Sequence, residues 1–206
     1  MDNPIKQKQI IIAITGASGA AYGLRLIQKL LATDVYFLHV LLSDAAKIVL
    51  KQECDLLLPE SASKAASVLA EHVGHDTNKL RCYDKYDWFS PAASGSSNIQ
   101  QMVVIPCSMG TLAGIANGIS DQLIERAADV MIKERKQLIL MPRETPLSAI
   151  HLEHMLKLSR LGVDLIPAMP GFYHRPESIS ELIDFMVSRV LDHLRVDNTE
   201  AKRWGE

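Results

Sequence analysis

The chain has 206 residues, a length suited to one domain with a sizeable core. Its 22 Lys and Arg against 24 Asp and Glu leave a net charge of −2, which gives no general pull toward nucleic acid or an anionic membrane. No apolar run approaches the roughly 20 residues that span a bilayer, and the polar start MDNPIKQKQ carries no signal stretch, so the cytoplasm is the expected compartment. Three scattered cysteines are too few for a disulfide framework. The pairs His72/His75 and His151/His154 read as surface coincidences, and no metal is expected.

Apolar runs alternate with helical patterns from end to end, without repeat or linker, so residues 1–206 are read as one domain. Gln9–Ile14 is a β-branched run of the kind found in a strand buried on both faces. Ala20–Leu31 follows as a helix, Val35–Leu42 as a second strand, and Asp44–Lys51 and Ser61–Glu71 as helices. Met102–Ile105, Gln137–Met141 and Asp164–Ile166 complete five expected strands, with helices near 120–135, 147–160 and 178–195. Ser178 with Glu181 forms a capping-box start, and Gly162 is placed to end the preceding helix. This alternation predicts an α/β fold, a Rossmann-like or flavodoxin-like three-layer sandwich around a parallel sheet. Ligands of such sheets bind outside the carboxyl ends of the strands, so the loops there are the places to look for chemistry.

After the first strand comes TGASGAAYG, residues 15–23. Its small residues allow close backbone approach, and the helix behind it aims amides at an anion. It is neither a G-x-G-x-x-G fingerprint nor a Walker A loop. Ser43 and Asp44 follow the second strand, either as a ribose-binding pair or as a plain helix N-cap. PCSMGT, residues 106–111, follows the third as another polar, glycine-containing loop; Cys107 reads as a small buried thiol rather than a nucleophile. Arg143 and Glu144, between two prolines, follow the fourth, as a phosphate fork and a candidate acid or base. Tyr173 and Arg175 follow the fifth, and Arg189 lies among apolar residues on the last helix. The serine-rich stretch SPAASGSS, residues 90–97, follows Trp88 and Phe89, while Arg126, Lys133, Arg135 and Lys136 cluster near 120–136.

Taken together, ITGASGAAYG, PCSMGTLAGIANGISDQLIERAADVMIKERK, LMPRETPLS and MPGFYHRP resemble the UbiX flavin prenyltransferases, a branch of the flavin-binding, cysteine-decarboxylase-like superfamily. The likeness covers nearly the whole chain and takes in Arg203-Trp204 near the C-terminus. It implies an FMN site at Gly16, Ala17, Ser18, Ser43, Ser108, Met109, Gly110, Thr111 and Arg143. It implies that Arg126, Lys133, Arg143, Tyr173 and Arg189 hold the phosphate of a dimethylallyl donor. Ser18, Glu53, Ser94 and Glu144 match positions linked to proton handling, with Glu144 and Ser18 the expected relay. It further implies a metal-independent transfer from dimethylallyl phosphate to FMN, a homododecamer whose neighbouring subunits complete each pocket, and a decarboxylase that takes the product. A flavin-dependent decarboxylase and a non-catalytic FMN-binding protein are the alternatives.

Overall fold

The computed structural model describes residues 7–198, so Arg203 and Trp204 lie outside the described residues. Six strands form one parallel sheet: β1 (Lys8–Ile14), β2 (Tyr36–Leu42), β3 (Leu80–Tyr83), β4 (Gln101–Cys107), β5 (Gln137–Pro142) and β6 (Asp164–Leu165). Successive side chains of a strand point to opposite faces. Ile10, Ile12 and Ile14 therefore pack into one core, and Ile11 and Ala13 into the other. Burying one such isoleucine stabilises the fold by about 1.5–3 kcal/mol relative to exposure.

The first face is covered by α1 (Ala20–Ala32), α2 (Asp44–Cys54), α3 (Ala62–His72) and α7 (Ile179–His193). The other face carries α4 (Met109–Ala116), α5 (Leu123–Lys133) and α6 (Ala149–Arg160). The expected three-layer α/β sandwich is thus observed, with two corrections in detail. There are six strands rather than five, because Leu80–Tyr83 pairs with β2 at the edge. Residues 109–111 are the first turn of α4 and not a loop, and Pro106 and Cys107 belong to β4. Gly162, at φ 85°, ends α6 as expected. Ser178 accepts the Glu181 amide at 3.3 Å, while the Glu181 carboxylate reaches the Glu177 amide rather than that of Ser178.

The strand order is β3-β2-β1-β4-β5-β6. The chain builds outward from β1 to β3, then crosses to the other side of β1 to begin β4. That reversal opens a crevice between the carboxyl ends of β1 and β4, where doubly wound sheets hold their ligands. Among the described residues, no helix is long and apolar enough to cross a membrane, and no group of three or more His, Cys, Asp or Glu could hold a metal ion.

One polar group sits inside this scaffold, away from the crevice. His39 of β2 is 3% exposed, with Nδ1 2.8 Å from the Tyr83 hydroxyl and Nε2 3.2 Å from Gln9 Oε1. Burial, and then the charge of Arg81, push its pKa down to about 4. Between its ordinary value and about 4, the unfolded chain takes up a proton that the folded chain refuses. Stability therefore falls as pH drops through this window, by roughly 3 kcal/mol for a 2.5-unit separation. Urea unfolding at about pH 7, 5.5 and 4 is expected to show this loss in the wild type and a flatter profile in His39→Gln. Parallel profiles would remove His39 as the cause.

Candidate active site at the carboxyl edge of the sheet

Thr15, fully buried at the end of β1, ties the two lips of the crevice together. Its hydroxyl donates to the Pro106 carbonyl at 2.8 Å and accepts the Ser108 amide at 2.7 Å. Ser108 then caps α4, accepting the Thr111 amide at 3.3 Å and donating to the Thr111 hydroxyl at 3.1 Å. Ser43 plays the same part for α2, accepting the Ala46 amide at 3.0 Å, with its own amide held by the Ile14 carbonyl at 3.1 Å. Asp44 beside it is paired with Lys85. Ala17 and Met109 are both buried, Met109 within the core on the α4 side of the sheet.

Two glycines of the crevice serve different ends. A Cβ on Gly16 would lie 2.4 Å from the Ala45 Cβ, so Gly16 lets the β1–α1 loop pack on α2. A Cβ on Gly110 would meet nothing within 4 Å, so the space beside it on the first turn of α4 is open. Gly16→Ala is expected to destabilise the fold by about 1–3 kcal/mol through overpacking. Gly110→Ala is expected to leave stability intact or raise it by up to about 1 kcal/mol, since alanine is the better helix former. Thermal melts with and without FMN check the pair. If Gly110→Ala melts at or above the wild-type temperature but binds FMN at least tenfold more weakly, roughly 1.4 kcal/mol, the flavin ring lies against α4. Unchanged FMN affinity would place it elsewhere.

The charged centre of the crevice is a knot of Ser18, Glu53 and Arg143. Glu53, on the last turn of α2, accepts the amides of Gly19 at 2.8 Å and Ala20 at 3.1 Å, and the Ser18 hydroxyl bonds to it as well. Arg143, at the end of β5, donates from Nε to the Ser18 carbonyl at 3.2 Å. Burial works to raise the Glu53 pKa. The hydrogen bonds from Ser18, Gly19 and Ala20 and the charge of Arg143 outweigh it, holding the carboxyl below the usual value. This revises two expectations. The leading amides of α1 are occupied by the chain's own carboxylate, which fills the place where a helix N-terminus would take a phosphate. The partner of Ser18 is Glu53, whereas the Glu144 carboxylate turns back to the Thr145 amide at 3.1 Å. Glu144 and Arg143 line a cavity of about 330 Å³ with Thr145, Met155 and Met169.

The remaining candidates fall into two further groups. Ser94 lies in the serine-rich loop, its hydroxyl 2.8 Å from that of Ser96. Arg126 pins this loop to α5 by donating to the Ala93 carbonyl at 3.1 Å, and Lys136, between α5 and β5, holds it through the Gly95 and Ser97 carbonyls. Arg126 also pairs with Asp129, and Lys133 with Glu134. Among the described residues, no hydrogen bond or ion pair links this group to the Ser18–Glu53–Arg143 knot. Tyr173 and Arg189 form the third group. The Tyr173 ring leans on Phe185, and Arg189, one turn along α7, pairs with Asp192 at 2.8 Å. Cys107 is fully buried, and burial pushes its thiol well up, as a packing thiol requires.

Comparison with known proteins gives the family. The Flavoprotein family model matches residues 2–191. Flavin prenyltransferase UbiX of Pseudomonas aeruginosa is 48% identical over 97% of this chain and 95% of its own length. The chain belongs to the flavoprotein family, in its UbiX branch. The UbiX of Methanocaldococcus jannaschii is 44% identical over 96% of this chain and 98% of its own. Among solved structures, AnUbiX (PadA1) in complex with FMN and dimethylallyl pyrophosphate superposes with a TM-score of 0.85. It is 37% identical and covers 98% of this chain and 99% of its own. A dodecameric FMN-dependent UbiX-like decarboxylase of Escherichia coli O157:H7 gives 0.83 at 40% identity, covering 96% and 100%. The expected family, flavin cofactor and prenyltransferase class are borne out at this level.

Proposed function

We propose that this chain transfers a dimethylallyl group from dimethylallyl phosphate to N5 of reduced FMN and closes a ring at C6, giving prenylated FMN for a UbiD-type decarboxylase. The observation that carries this reading is the Ser18–Glu53–Arg143 knot at the β1–β4 crevice of a UbiX-branch chain. The geometry suits the flavin: the space beside Gly110 is open, and the Thr111 hydroxyl keeps a proton to donate, since it accepts from Ser108. Bound FMN supplies the nucleophilic nitrogen and carbon; the protein supplies charge and proton acceptors.

Breaking the allylic C–O bond leaves positive charge on carbon and negative charge on phosphate. Arg143, Tyr173 and Arg189, joined by Arg126 and Lys133, favour departure of that phosphate without a metal. Bonding to N5 releases the N5 proton; ring closure then adds a proton to the prenyl double bond as the C6 proton leaves, so one proton is lost overall. Glu53, held ionised and bonded to Ser18, is a proton acceptor one hydroxyl removed from the crevice. Ser94 and Glu144 remain candidates for the same task. Because no hydrogen bond or ion pair among the described residues links the α5 group to the knot, we assign its contribution to a neighbouring subunit in a homododecamer. The dodecameric E. coli relative supports this assignment.

Phosphate release tests the reading. With reduced FMN present, dimethylallyl phosphate is expected to give up inorganic phosphate one for one with flavin consumed, and dimethylallyl diphosphate to react more slowly. Release at the same rate without flavin would make the chain a phosphatase. No release in the presence of bound FMN would favour a flavin-binding protein without this activity. Faster reaction of the diphosphate would change the donor.

A further inference from the structure

Tyr173 packs against two neighbouring rings. It lies between β6 and α7, and its ring meets Phe185 edge-on at 5.7 Å and His174 edge-on at 5.6 Å. His174 stacks flat on Phe185, with centroids 5.1 Å apart and planes 5° apart. The three rings thus form a closed triangle. Neither ring nitrogen of His174 has a hydrogen-bond partner among the described residues, although both are buried, so the imidazole acts here as a packing surface.

Gly171 closes the underside. A Cβ there would come within 3.0 Å of Tyr173 Cε1 and 3.1 Å of Phe185 Cζ, so the two rings meet across a gap that only glycine leaves open. Phe185 also lies one helical turn from Arg189, on the same face of α7. Both line a cavity of about 370 Å³ with Met169 and Met186. One helix face therefore carries an arginine for the phosphate and the ring that backs the tyrosine.

We propose that Phe185 and His174, closed over Gly171, are positioning residues that set the phenol of Tyr173 toward the donor phosphate. This rests on the donor-binding role proposed above for Tyr173. A side chain 48% exposed on a loop has several rotamers open to it in principle, and each unproductive one weakens its hold on the donor. Its edge-on ring contacts narrow that choice, and the His174–Phe185 stack fixes the rings it leans on.

A double-mutant cycle on the full-length, FMN-loaded protein tests this, with reduced flavin and dimethylallyl phosphate as substrates. Phe185→Leu is expected to raise KM for the donor by roughly two- to tenfold, the range an aromatic pair contributes, with kcat changed less. FMN affinity is expected to stay at the wild-type value, and Phe185→Tyr, which keeps the ring, to retain the wild-type KM. In a Tyr173→Ala background, Phe185→Leu is expected to add nothing. The same factor in both backgrounds, or an equal loss of FMN affinity, would overturn the positioning role alone. Tyr173→Ala with a wild-type KM would overturn the donor-binding role and this proposal with it. Should Phe185→Leu fail to fold, Gly171→Ala and His174→Leu enter the same cycle with the same expectations.

Discussion

Glu53→Gln is expected to lower turnover of dimethylallyl phosphate by roughly 10²-fold or more, the usual contribution of a positioned acid–base group. Glutamine keeps an oxygen for the Gly19 and Ala20 amides, so the loop after β1 should hold its shape. What it loses is the capacity to take a proton through Ser18. FMN affinity is therefore expected to change by less than about threefold, under 1 kcal/mol. Because Ser18, the two amides and Arg143 hold the Glu53 pKa low, the carboxylate is a ready acceptor at neutral pH, and wild-type turnover should fall only on the acid side. Steady-state kinetics and FMN titration check both halves. Full turnover in the variant would remove Glu53 from the reaction, and lost flavin binding would make it a structural group instead.

Replacing Arg143 should have the second large effect. Arg143→Lys keeps the charge but loses the Nε–H that reaches the Ser18 carbonyl and the planar fork that fits a phosphate. A drop of roughly 10²-fold in kcat/KM for the donor is expected, comparable to loss of one preorganised donor at a developing charge. Arg143→Ala goes further and removes the cation that helps hold Glu53 ionised. Its pKa then moves up toward the ordinary carboxylate value, and the acid limb of the pH–rate profile moves to higher pH. A pH profile of kcat for the two variants separates the roles, since the lysine variant should keep the wild-type limb. An unmoved limb in Arg143→Ala would show that Arg143 does not act on Glu53.

The sheet was legible where its signal is strong. The runs at 9–14 and 35–42 are long and apolar, the first of them β-branched, and both became central strands. Leu80–Tyr83 was missed because it is four residues long at the sheet edge and turns Arg81 outward, which breaks the apolar run. The first turn of α4 was missed because Gly110 and Gly114 dilute the helical pattern of MGTLAGIA. Ser43 and Ser108 were legible as polar groups at strand ends, and their capping roles follow from position alone. Glu53 was not legible from pattern, since it reads as an ordinary charged residue on the last turn of a helix. Only the fold, which brings the end of α2 against the start of α1, places it on the amides that a phosphate was expected to use. Family resemblance pointed to Glu53, and its partners came from the structure.

Mass spectrometry of the flavin extracted after incubating the protein with reduced FMN and dimethylallyl phosphate is the most direct test of prenyl transfer. A flavin heavier by one five-carbon unit, formed only when protein and donor are both present, is the expected result. Recovery of unmodified FMN from protein that binds it tightly would contradict it.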